Sequence, residues 1–250
     1  MNTPTAQNIS EGILAFVLGV TFGKQYVKIT GATEDKSIVA SCLRLAWNDA
    51  FRHVTRNITA PNSANKVKAD ETRMMEVLSD NKMVQFFHRY AGCRSTEERV
   101  KLLKENETYL IQTFGMFKSN DDPRYSLCFG HYQKLFNMAV KLYCCVYVYR
   151  ARLGIDDTVL TNYDFAGADC PIDHHILSAI DREMEEHPAL KTAYQELQQE
   201  ANVKRLQEIP WSKFGKEERF STDVYLKIQK LIKSLNNENS GLLYDLEHWK

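Results

Sequence analysis

The chain has 250 residues, 44% hydrophobic and 11% aromatic, enough apolar side chain to build a sizeable core in one large domain. Lys plus Arg and Asp plus Glu each number 32, so the formal net charge is zero and any basic binding surface has to be local. Six cysteines (Cys42, Cys93, Cys128, Cys144, Cys145 and Cys170) form no Cys-x-x-Cys pair, which argues against a zinc ribbon or a disulfide framework and for a reducing, cytoplasmic setting.

Apolar residues recur at spacings of three and four along most of the chain, and alternating runs are scarce, so the expected class is all-α. The spacing predicts helices over Ser10 to Gly23, Ser37 to Thr55, Ala69 to Ser79, Asn81 to Gly92, Ser95 to Asn106 and Thr108 to Phe117. Further helices are expected over His131 to Leu153, Asp173 to His187, Pro188 to Glu208 and Thr222 to Asn236. Ser95 with Glu98 three residues on is a capping-box signature. Polar, Pro-containing breaks fall at Arg56 to Lys66 and Lys118 to Ser126, and no domain linker interrupts residues 1–250. The apolar runs Ile13 to Phe22 and Leu142 to Tyr149 are too short to span a bilayer, and no signal-peptide pattern opens the chain, so a cytoplasmic protein with no membrane contact is expected.

The chemistry-bearing stretch is "GHYQKLFNMAVKLYCCVYVY", Gly130 to Tyr149. Its last eight residues are all apolar or aromatic, the mark of a central helix covered on every side. In the first half, Lys134, Asn137 and Lys141 fall at i, i+3 and i+7 and share one face. Isolated lysines on such a face read as solvated, but an amine with a carboxylate nearby can act as a nucleophile. A carboxylate follows in "ADCPIDHHIL", where Asp173 stands at the N-cap of the next helix; a capped carboxylate is held rigidly, which suits it to stabilising a cationic transition state. The intervening Gly154 to Pro171 is long and aperiodic, as functional loops tend to be.

The Gly and Lys opening an apolar helix, "QKLFNMAVKLYCCVYVYRARLG", then a loop, then the Pro-x-Asp of "CPIDHHI", resemble helix–hairpin–helix DNA glycosylases, in particular their archaeal 8-oxoguanine branch. The resemblance covers Gly130 to Leu177, in a motif-bearing core at about 128–190. It departs from the family in an extended loop before Pro171 and in a hairpin with Gly130 as its only glycine. It implies a single helical glycosylase-like domain, acting without metal or cofactor as a monomer on double-stranded DNA. A damaged or modified base would be flipped out and excised, with strand cleavage through a Schiff base in a bifunctional enzyme, serving base-excision repair or defence against phage with modified DNA. Lys134 maps to the nucleophile, with Lys141 as fallback, and Asp173 to the catalytic carboxylate. Gly130, Gln133 and Asn137 are expected to line the cleft, Trp211 to stack on the base, and Arg52 and Arg56 to contact phosphate. Two alternatives stand beside this: a helical ribonuclease built on the Arg-x4-His spacing of Arg182 and His187, and a non-enzymatic helical module that binds nucleic acid or a nucleotide. Cys170, Asp173, His174 and His175 lie together, but adjacent histidines point to different faces of a helix, so no metal site is expected.

Overall fold

The computed structural model describes residues 17–51, 76–114, 127–236 and 241–248, and among these every regular element is helical. After a helical turn at 17–22 and a short helix Tyr26–Ile29, the chain forms α1 (Asp35–Phe51), α2 (Asn81–Ala91), α3 (Thr96–Glu105), α4 (Glu107–Phe114) and α5 (Phe129–Val148). There follow α6 (His174–Glu183), α7 (Lys191–Ala201), α8 (Thr222–Leu235) and α9 (Gly241–His248), with single 3-10 turns between several of them. One contiguous buried cluster runs through these elements from Leu18 to Tyr244.

The central pair is α1 and α5, packed antiparallel: Asp49 at the end of α1 meets Lys134 near the start of α5, and Asp35 at the start of α1 accepts from the Tyr143 hydroxyl at 2.7 Å. Local signals set the helix starts. Asp80 caps α2 by accepting the Lys82 N–H, and Ser95 and Glu98 form both bonds of the expected capping box on α3. In α2 the apolar positions Met83, Val84, Phe86, Phe87 and Tyr90 follow the helical repeat and are buried.

Three expected helices stop early. α5 ends at Val148 rather than Leu153, because the chain turns through 149–154 to Gly154 at φ +68, the left-handed region that glycine enters freely. The end of α5 is also not covered on every side, since Val148 is 60% exposed. α6 closes at Glu183, short of His187, and the helix expected over Pro188 to Glu208 is a 3-10 turn followed by α7, which stops where Asn202 adopts φ 51 as a left-handed cap. α9 carries no clear periodic signal and was not expected. The expected helix over Ser10 to Gly23 is helical at 17–22 and that over Ala69 to Ser79 at 76–78, while residues 10–16, 52–55, 69–75 and 115–117 of the expected helices lie outside the described residues. No helix among the described residues is long and apolar enough to cross a membrane.

Candidate active site

Lys134 sits one turn into α5 and is buried, with 6% of its surface exposed. The amine lies 3.2 Å from Asp173 Oδ2 and 3.0 Å from Asp49 Oδ2. The Trp211 ring lies over it, 4.8 Å from Nζ to the ring centroid. Lys134, Asp173 and Trp211, expected from the sequence, are thus brought together, and Asp49 joins them.

Asp173 is fixed twice. As N-cap of α6 its Oδ1 accepts the N–H groups of His175 at 2.9 Å and Ile176 at 3.1 Å, which leaves Oδ2 for the lysine. The extended segment before it is clasped by carboxamides: Gln133 donates to the Ile172 carbonyl at 3.1 Å and accepts the Ile172 N–H at 3.4 Å, and Gln229 on α8 does the same to Cys170, at 2.7 and 3.0 Å. Asn137 donates to the Cys170 carbonyl at 3.2 Å and accepts from the Tyr90 hydroxyl at 2.8 Å. Further back, the buried Asp169 takes Arg99 at 3.2 Å and Lys233 at 3.1 Å. Gln133 and Asn137 therefore face inward, 0% and 2% exposed, and spend their amides on the segment that carries Asp173.

Gly130 is a close-approach glycine. A Cβ there would stand 2.1 Å from the Trp211 carbonyl oxygen, and its N–H donates to the Phe214 carbonyl at 3.0 Å. That amide is engaged by the chain itself, so the first turn of α5 holds the strap at 209–215 that carries Trp211. His131 packs between Phe51 and Trp211, and burial, with Lys216 and Lys134 nearby, holds its imidazole down to about 4, hence neutral.

Lys141, the fallback nucleophile, is 5% exposed and locked at 2.5 Å to Asp245 of α9, whose carboxyl burial raises above its ordinary value while Lys141 opposes the shift. The two lysines are equally buried, but Asp245 is buried with Lys141, whereas Asp49 and Asp173 beside Lys134 are partly exposed. Arg182 and His187 do not share a helix: Arg182 is in the last turn of α6 and His187 lies beyond its end, before Pro188. Arg52 and Arg56 lie outside the described residues. No cluster of three or more His, Cys, Asp or Glu among the described residues could hold a metal ion.

Asp49 is absent from the sequence reading because it lies on a different helix from either motif. The available signal was an acid inside the apolar "LAWNDAF", beside the buried Trp47, Ala50 and Phe51. No family model, curated protein or solved structure matches the chain.

Proposed function

We propose that the chain is a DNA glycosylase, resembling the helix–hairpin–helix superfamily in fold, that extrudes a damaged or modified base and excises it with Lys134 as nucleophile. The observation that carries this reading is the buried amine of Lys134 held between two carboxylates with an aromatic ring over it. This arrangement sets a nucleophile, a proton acceptor and an anionic stabiliser side by side.

The roles divide by how each carboxylate is held. Asp49, partly exposed, takes a proton from the Lys134 ammonium and can pass it to solvent. The freed amine attacks C1′ of the extruded nucleotide; the C1′–N bond to the base breaks, and the base leaves with the electron pair and takes a proton from water. Asp173, its Oδ1 fixed by two backbone N–H groups, turns its Oδ2 to the positive charge that develops on the sugar. Loss of the second amine proton and opening of the sugar ring give a Schiff base. Removal of a C2′ proton then expels the 3′ phosphate and cuts the strand. The Trp211 face suits the extruded base, since stacking contributes about 1–3 kcal/mol. Repair of lesions and defence against modified phage DNA share this chemistry.

The test is borohydride trapping on duplexes that each carry one candidate modified base. Wild type is expected to form a covalent adduct with one of them. Lys134→Gln loses it, Asp49→Asn and Asp173→Asn slow it, and Lys141→Gln/Asp245→Asn, which neutralises the buried pair together, keeps it. An adduct that survives Lys134→Gln, or a wild type that excises no base, refutes the proposal.

A further inference from the structure

The carboxylates Asp49 and Asp173 do not by themselves hold a chain of phosphates, and one group of cations without an ion pair among the described residues lies beside the site. A cleft of about 540 Å³ lies between α6, α7 and the strap at 204–207, with Arg182, Lys191, Lys204 and Arg205 on its walls. All four are exposed, and none forms an ion pair with a carboxylate among the described residues. Some surface lysines elsewhere are matched by acids, as Lys213 is by Glu217 at 2.6 Å and Lys101 by Glu105 at 3.7 Å. The acid at the cleft floor, Asp181, is spent on the protein: it accepts from the Tyr194 hydroxyl at 2.7 Å and from the N–H groups of Leu206 at 2.9 Å and Gln207 at 3.0 Å. Arg182 is braced by a bond to Ser178 Oγ at 3.1 Å. Glu185 is the acid left at the rim.

A second groove continues from the first through Gln195, Gln198 and Lys204 and adds Gln199, Asn202 and Glu208, whose carboxylate accepts the Lys204 N–H at 3.1 Å, while Gln198 donates to the Lys204 carbonyl. These carboxamides form a stripe on α7, while the acids of that helix turn away, Glu200 pairing with Lys227 on α8. Cations beside donor–acceptor amides are the side chains that contact phosphate and base edges. The cleft also leads to Lys134 along two paths. α6 runs from the Asp173 cap to Arg182, about 13 Å at 1.5 Å per residue. The strap passes from Arg205 past Gln207, whose carbonyl lies 3.2 Å from His174 Nδ1, to Trp211 over the amine. One strand of B-DNA carries a phosphate for every ~3.4 Å of axis, so that distance is about four nucleotides.

We propose that this cleft binds the phosphodiester backbone of the DNA flanking the nucleotide at Lys134, with the α7 amide stripe laid along the groove. The inference rests on the glycosylase reading for the identity of its partner. The test is the salt dependence of binding to an unmodified duplex of about 20 base pairs, read by fluorescence anisotropy. Each phosphate contact contributes about 0.9 to the slope of log K against log salt. Lys204→Gln/Arg205→Gln is expected to flatten the slope by about two. Lys101→Gln/Lys104→Gln on α3, with the same change in net charge, is expected to leave it unchanged. Equal flattening by both double variants, no flattening by the first, or no binding of wild type to the duplex overturns the cleft. Because trapping is scored separately, an unchanged slope with an intact adduct refutes the cleft alone. A flattened slope without any excised base refutes the glycosylase reading and leaves the cleft standing.

Discussion

Replacing Gly130 by Ala tests how the strap is held over Lys134. The added Cβ would lie 2.1 Å from the Trp211 carbonyl oxygen and 3.2 Å from the Phe214 nitrogen, and both neighbours are backbone atoms that no rotamer change can move. The strap must retreat from α5 by about 1 Å, and the Gly130 N–H to Phe214 carbonyl bond and the Cys128 thiol to Ser212 carbonyl bond stretch with it. Overpacking costs about 1–3 kcal/mol and each weakened hydrogen bond about 0.5–1.5 kcal/mol, so a loss of about 3 kcal/mol is expected. For a chain of this size that corresponds to a fall in Tm of roughly 6–12 °C, measured by thermal or urea unfolding. The same variant is expected to shift Trp211 fluorescence and slow adduct formation, because the ring moves with its backbone. A Tm within about 2 °C of wild type refutes the close approach and the anchoring of Trp211 by the first turn of α5.

Asn137→Leu leaves the Tyr90 hydroxyl and the Cys170 carbonyl without Asn137 in the buried interior and is expected to cost about 2–4 kcal/mol in urea unfolding, while a cost below ~1 kcal/mol contradicts a positioning role. His131 is held to about 4 against an ordinary 6.5, so between these values the unfolded chain binds a proton that the native chain does not; stability is intact above pH 6.5 and falls by about 3 kcal/mol as pH drops to 4, a dependence that His131→Phe removes. Asp173→Ser retains an oxygen for the His175 and Ile176 N–H groups and is expected to unfold about 1 kcal/mol later than Asp173→Ala, while both variants lose most of the adduct rate; equal stability of the two contradicts the cap.

The sequence carried the signals that are local. The Ser95–Glu98 box, the Asp173 cap and the periodic burial of α2 involve residues within a turn of each other, and the structure shows all three. The stripe Lys134, Asn137, Lys141 was legible as one face, but its three members have different fates. Lys134 meets Asp49 and Asp173, Asn137 turns to Cys170, and Lys141 meets Asp245. What separates them is which distant element covers each turn of α5, and this depends on helix packing rather than spacing. Asp49 and Asp245 were missed for that reason: one comes from the antiparallel α1, the other from α9 at the far end of the chain. Gly130 was legible as special but for a different role, since its close contact is with a strap more than eighty residues downstream.

The central claim is that Lys134 supplies the attacking amine. Digestion of the borohydride-reduced adduct followed by tandem mass spectrometry locates the sugar remnant directly. The structure predicts the added mass on Lys134, within the peptide that follows His131. A remnant on Lys141, Lys213 or Lys216 instead, or its absence from every lysine, contradicts the account.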